Sequence, residues 1–181
     1  MKMNRTITVY GASSAQIDEV FIRAGRELGR LAAQRGIAVV DGGGKTGMMG
    51  AVNDGALENG GIAIGVIPRF MVERGWGHQG LTRVEVADDM HARKRRMAQL
   101  ADGVIALPGG VGTFEELLEI ITWRKLDLFD GEVVIFNIDG YYDNLLAMLR
   151  TAEERHFMNE QLWRVATTAE QALDLALGTD N

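Results

Sequence analysis

The chain has 181 residues, 46% of them apolar and 24% charged, which suits one core burying roughly 70% of the unfolded surface and excludes wholesale disorder. It has no cysteine, so disulfides, thiolate metal sites and cysteine nucleophiles are excluded. The net charge of −6 argues against a nucleic-acid or membrane-surface partner and leaves room for a small anionic ligand held by a local positive field.

The opening MKMNRTITVYGASS carries a short apolar run and then Gly11 and Ser13, with no segment of signal-peptide or membrane-spanning length. It reads as the first core strand, over 7–10, of a cytoplasmic protein. Residues 18–34 follow with Val20, Phe21, Ala24, Leu28 and Leu31 at helical spacing. Apolar runs at 37–40 and 62–67 are expected strands, the first leading through a glycine turn into a helix. Residues 71–80 hold Gly75, Trp76, Gly77, His78 and Gly80 and read as a mobile or ligand-facing loop, with an ordinary surface loop as the alternative. A more polar strand at 81–86 belongs nearer a sheet edge. Helix 88–100, strand 104–107, helix 113–126, strand 133–138 and helices 143–149 and 169–177 complete the pattern, and 178–181 are expected to fray. Strand and helix in alternation predict an α/β fold with an open, mainly parallel sheet and helices on both faces, in a single domain over 1–181.

Two glycine-rich turns stand out. In Asp41-Gly42-Gly43-Gly44-Lys45-Thr46-Gly47, residues 42, 44 and 47 match GxGxxG, but that signature belongs after the first strand, where Gly11-Ala12-Ser13-Ser14 stands instead. Gly44-Lys45-Thr46 lacks the glycine at 39 that a P-loop requires, since Val39 is there. Backbone approach to a ligand, or a tight turn alone, remains. The second turn, Pro108-Gly109-Gly110-Val111-Gly112-Thr113, leaves backbone N–H groups uncovered at a helix start, which is an anion site suited to phosphate. Thr113 is placed either to cap that helix or to give its hydroxyl to a phosphate. Thr113 and Glu116 also have capping-box spacing, a purely structural alternative for Glu116. On the helical wheel Glu115 joins Glu119 and Thr122 away from the core, whereas Glu116 joins Ile120 and Trp123 at its boundary, so Glu116 is favoured for chemistry.

Helix 88–100 opens with Asp88 and Asp89 and then carries Arg93, Lys94, Arg95 and Arg96. Arg95 and Arg96 suit a solvated face. Arg93 shares a stripe with Met90, Met97 and Leu100, and an arginine there needs an anionic partner, either a phosphate or a carboxylate. His78, His91 and His156 lack ligand spacing, so no metal is expected.

These blocks resemble the LOG ("Lonely Guy") family of cytokinin riboside 5′-monophosphate phosphoribohydrolases, long labelled lysine decarboxylases. The resemblance rests on Gly42-Gly43-Gly44 with Gly47-Met48-Met49-Gly50, Gly65-Val66-Ile67-Pro68, Met90-His91-Ala92-Arg93-Lys94, and above all Pro108-Gly109-Gly110-Val111-Gly112-Thr113-Phe114-Glu115-Glu116. Thr122-Trp123 and Asn137-Ile138-Asp139-Gly140-Tyr141-Tyr142 extend it, so that it covers roughly residues 5–150. It implies a Rossmann-like fold, commonly a homodimer, that hydrolyses the N-glycosidic bond of an adenine-type nucleoside 5′-monophosphate, with or without an N6-prenyl group, without a cofactor. It implies Arg93 and Glu116 as the catalytic pair, Glu115 near the ribose, and Gly110, Gly112 and Thr113 on the phosphate with Gly109 and Val111 in the same turn. Ser13, Ser14, Gly43, Gly44, Met90 and Lys94 complete the implied substrate contacts. Where the family often has Cys-Gly-Ser-Ser, this chain has Gly11-Ala12-Ser13-Ser14. Two other readings stand beside it: a pyridoxal-phosphate decarboxylase using Lys45 or Lys94, and a non-catalytic nucleotide or molybdenum-cofactor carrier.

Overall fold

A computed structural model describes residues 5–158 and 161–179. Seven strands form one sheet: β1 (Thr6–Tyr10), β2 (Ala38–Asp41), β3 (Ala63–Pro68), β4 (Arg83–Ala87), β5 (Gly103–Ala106), β6 (Glu132–Phe136) and β7 (Arg164–Ala166). Their order is β4-β3-β2-β1-β5-β6-β7, and every neighbouring pair is parallel. Seven α-helices connect or follow them: α1 (Glu19–Gln34), α2 (Gly47–Glu58), α3 (Arg69–Glu73), α4 (Met90–Leu100), α5 (Val111–Lys125), α6 (Asp143–Glu154) and α7 (Ala169–Ala176).

Strand alternation builds two cores. Ile7, Val9, Val39 and Ile105 point to one face and pack with Leu28 of α1, Met48 and Val52 of α2, and Leu173 of α7. Tyr10, Val40 and Val104 point to the other, against Met97 of α4, Leu117 and Ile120 of α5, and Leu146 of α6. Thr8 is the polar exception; its hydroxyl donates to the Met97 carbonyl at 2.8 Å. Both faces are covered, which is why the strands read as nearly unbroken apolar runs. The expected Rossmann-like architecture is the one found.

Strand β4 stands at the edge, as its polarity implied, with Val84 and Val86 about half exposed. The opposite edge strand, β7, has only three residues, too few to leave a period-2 signal. Helix α3 lies partly within the expected 71–80 loop. Of the residues expected to fray, Thr179 instead donates its N–H to the Asp174 carbonyl at 2.9 Å, while 180–181 lie outside the described residues. Among the described residues no helix is long and apolar enough to cross a membrane.

The strand order places the site. From β1 the chain moves one way, to β2; from β5 it moves the other way, to β6. The loops leaving the carboxyl ends of β1 and β5 therefore part, and a crevice opens between them.

Candidate active site

A cavity of about 560 Å³ occupies that crevice, a size suited to a small-molecule ligand. Its walls come from the ends of β1, β2, β3 and β5 and from the first turns of α2, α4 and α5.

The two glycine turns differ in what remains free. At the first, the Ala12 carbonyl accepts the N–H groups of Met48 (2.8 Å) and Met49 (3.3 Å), and Thr46 Oγ1 donates to the Ser13 carbonyl (2.6 Å). The protein itself thus satisfies the N–H groups of Met48 and Met49 at the start of α2. At the second, helix α5 begins at Val111 with Gly110 as its N-cap, and its first intrahelical bond is Phe114 N–H to Gly110 O (3.0 Å). The N–H groups of 111–113 have no partner among the described residues. Thr113 is therefore the third helical residue and is buried, so it is neither the cap nor half of a capping box. Gly110, Gly112 and Thr113 all line the cavity, and a Cβ on either glycine would meet nothing within 4 Å. The carbonyls of this turn are drawn the other way: Tyr142 OH donates to Leu107 O at 2.7 Å and Tyr141 OH to Gly109 O at 2.5 Å. The segment 137–142 thus buttresses the turn.

Arg93 is buried on α4, as its apolar stripe required. Its Nε donates to the Val66 carbonyl at 3.1 Å, and its Nη1 lies 3.7 Å from Glu116 Oε1. Gly42 lies against the guanidinium, where any Cβ would overlap Nη2. Glu116 is nearly buried; that burial, opposed by Arg93 and assisted by Glu115, pushes its pKa from 4.5 up to about 7. The carboxylate favoured on the helical wheel is thus the one next to the arginine.

Lys94 is buried beside them and pairs with Glu115 and, at 3.1 Å, with Glu119. Burial works against its charge, but these two hydrogen bonds outweigh burial and hold its pKa above the usual lysine value. Arg96 bonds Glu85 at 2.6 Å, a partner not foreseen for that face.

Of the expected contacts, the cavity wall gathers Ser13, Gly43, Gly44, Met90, Gly110, Gly112, Thr113 and Glu115 together with Arg93 and Glu116. Four stand off it. Ser14 is exposed and its Oγ accepts the Gln16 N–H (3.2 Å); Lys94 serves Glu115 and Glu119; Gly109 lies beneath Thr113; Val111 faces solvent. Sequence reasoning did not place Met49 and Ile67 in the site, whereas Met71 and Trp76 belong to the 71–80 segment read as mobile or ligand-facing; with Met90 they give the cavity an apolar wall on the β2–β3 side. Met49 and Ile67 lie in α2 and β3, where nothing but their apolar character marks them. The 71–80 segment is fastened to the first glycine turn: Gly77 bridges Gly44, the His78 N–H donates to Gly43 O (2.9 Å), and Lys45 Nζ donates to Gly75 O (2.9 Å). Arg74 stacks over both Phe70 and Trp76, at 5.6 and 5.1 Å from the ring centroids.

A sequence profile described as "Possible lysine decarboxylase" matches residues 49–176. A probable cytokinin riboside 5′-monophosphate phosphoribohydrolase of Oryza sativa subsp. japonica is 39% identical over 169 residues, which is 93% of this chain and 76% of that protein. A cytokinin riboside 5′-monophosphate phosphoribohydrolase of Arabidopsis thaliana is 38% identical over 171 residues, 94% of this chain and 80% of that protein. The chain belongs to the LOG family. Its LOG fold also resembles the molybdenum cofactor binding protein of Rippkaea orientalis, with a TM-score of 0.76 over 99% of both chains at 23% identity. The molybdenum cofactor carrier protein of Chlamydomonas reinhardtii gives 0.70 over 98% of this chain and 96% of that one at 21% identity. At such identities the likeness is one of fold.

Proposed function

We propose that this LOG-family protein hydrolyses the N-glycosidic bond of an adenine-type nucleoside 5′-monophosphate, releasing the free base and ribose 5-phosphate. The observation that carries the reading is the placement of Glu116, a nearly buried carboxylate 3.7 Å from Arg93 and within one helical turn of three open N–H groups. The start of α5 holds the phosphate through those N–H groups and the Thr113 hydroxyl. The apolar wall of Met71, Trp76 and Ile67 takes the base. From β5 to β3 is three strand spacings, about 14 Å, which suits a nucleotide laid across the carboxyl ends of the sheet.

Cleavage leaves the bonding pair on the base and positive, oxocarbenium-like charge on the ribose. The Glu116 carboxylate opposes that charge and aligns a water molecule, taking one of its protons as the new C–O bond forms; the departing base takes a proton from solvent and Glu116 returns its own to solvent, so that one water is consumed overall. Arg93, fixed by the Val66 carbonyl, opposes the effect of burial on Glu116 and so leaves a substantial share of it ionised at neutral pH. Glu115, held by Lys94 at the rim, faces the ribose.

The decarboxylase reading would need a lysine free to form a Schiff base with pyridoxal phosphate. Lys94 does not fit, because two carboxylates hold it protonated, and Lys45 is tied to the Gly75 carbonyl. A carrier would need the phosphate end alone and gives Glu116 no task.

The same reading includes a homodimer and a cytoplasmic location, in one nucleotide-binding domain without a nucleic-acid partner. Support for the dimer comes from the outward side of α5, where Val111, Phe114, Leu118 and Trp123 line a shallow groove that shares Glu115 with the cavity. Val111 is 82% exposed there. Sedimentation of wild type and Leu118→Glu tests it; a dimer that persists in the variant would rule out this face.

Incubation with AMP and, in parallel, isopentenyladenosine 5′-monophosphate, followed by product analysis, tests the reaction. Base and ribose 5-phosphate in equal amounts are expected from wild type, and at least about a hundredfold less of each from Glu116→Gln in the same time. Tight binding with no base release from either nucleotide would instead support the carrier.

A further inference from the structure

Asp41 closes β2 beneath the cavity, and the chemistry above leaves it unused. Its side chain is fully buried. One carboxyl oxygen accepts the Gly43 N–H at 2.7 Å, and the other accepts Asn53 Nδ2 at 2.9 Å. Asn53 comes from α2 and is also fully buried, and its Oδ1 has no hydrogen-bond partner. A buried acid beside an orphaned amide oxygen is costly, and neither contributes to the apolar core around it.

What this pair holds is the turn 42–44. Gly43 has φ of +71°, and its N–H points down to Asp41. Gly42 lies against Arg93 so closely that a methyl group would displace the guanidinium. The turn is fastened in front by residues 77 and 78, and it is the surface on which Arg93 rests. Arg93 and Glu116 are also the charged groups whose fields reach Asp41.

We infer that Asp41 and Asn53 are a positioning pair, which sets the height of the 42–44 turn and thereby the aim of Arg93 at Glu116. Its consequence for rate rests on the hydrolase reading; its consequence for the turn does not. The unpaired Asn53 Oδ1 gives the pair tolerance. A half-turn of the amide, which gives up the long Nδ2 bond to the Gly44 carbonyl at 3.5 Å, brings Oδ1 to Asp41, where it accepts from a protonated carboxyl or from an amide in its place.

Asp41→Ala removes the anchor, whereas Asp41→Asn keeps both hydrogen bonds once the Asn53 amide turns. Steady-state kinetics on AMP and amide hydrogen exchange over 42–47 are read on both variants and on Asn53→Ala, which stands in if Asp41→Ala fails to fold. The expected result is a fall in kcat of at least about tenfold in Asp41→Ala with KM nearly unchanged, faster exchange across the turn, and recovery of most of both losses in Asp41→Asn. A folded alanine variant with wild-type kcat, a loss confined to KM, or unchanged exchange would overturn the pair. If wild type releases no base, the hydrolase reading falls and the exchange result alone decides the pair.

Discussion

Glu116 Oε1 stands 3.7 Å from Arg93 Nη1, close enough for strong attraction and beyond a hydrogen bond. The arginine favours the charged form of the carboxylate without clamping it, so on the proposed reading its oxygens remain available to water and to a developing cation. Glu116→Gln is expected to lower kcat by about 10²- to 10⁴-fold with little change in KM. Arg93→Ala is expected to cost about 10²-fold. The double variant should be no slower than Glu116→Gln by more than a few-fold, because on the proposed reading the arginine acts through the carboxylate. Initial rates on AMP decide this. Independent, multiplying losses would mean that Arg93 works elsewhere, on the phosphate for instance.

Burial raises Glu116 to about 7, so its charged, working form is lost as pH falls below neutrality. The acid limb of kcat/KM should therefore show an apparent pKa near 7, distinguishable from phosphate ionisation near 6 with a phosphonate analogue. Stability has the opposite sign. A carboxyl with a raised folded pKa binds more protons folded than unfolded, so stability is lost as pH rises from about 4.5 towards 7. The displacement corresponds to about 3 kcal/mol at most. Glu116→Gln should melt above wild type at pH 8 by up to that amount, less whatever Arg93 loses, and the gap should shrink towards pH 4. Thermal unfolding across that range would dismiss the idea if the two curves ran parallel.

Much of this arrangement was legible in the chain. Apolar runs ending in glycine mark parallel strands because both sheet faces are covered, and Val39, Val40, Val104 and Ile105 show that burial directly. The inward position of Arg93 followed from Met90 and Met97 on its stripe, and that of Glu116 from Ile120. Sequence favoured the second glycine turn for an anion but could not show why the first differs, since both offer small residues before a helix. The difference lies in the Ala12 carbonyl, brought to α2 from another strand. The start of α5 was misplaced by two residues because Thr113 looked like a cap, whereas Gly110 occupies that position. The rest of the apolar wall was hidden for a related reason: Met49 and Ile67 belong to other elements than the ligand-facing 71–80 segment and meet Met71 and Trp76 only through the sheet.

The second glycine turn yields a prediction in which stability and binding part. A Cβ on Gly112 meets open space, and the residue is helical, so Gly112→Ala should raise stability by about 0.5 kcal/mol. On the proposed reading the same methyl group intrudes on the phosphate, and KM for AMP should rise roughly tenfold. At Gly109 a Cβ would overlap the Thr113 side chain, so Gly109→Ala should lose about 1–3 kcal/mol. Melting curves and KM for the two variants check this together. A Gly112→Ala protein with normal KM would move the phosphate away from α5.

Trp76 governs the other end. Its ring is about half exposed while lining the cavity, and Arg74 stacks on it, so ordering it over a ligand needs little rearrangement. An apolar N6 substituent would complete its burial; unsubstituted adenine would leave more of it wet. Loss of that contact should cost the prenylated nucleotide about 1–2 kcal/mol more than AMP. Trp76→Ala is therefore expected to lower kcat/KM for isopentenyladenosine 5′-monophosphate roughly tenfold relative to AMP, chiefly through KM. Competition between the two nucleotides in one reaction gives that ratio directly. If it is the same in wild type and variant, the substituent lies elsewhere, and the apolar wall receives the adenine ring alone.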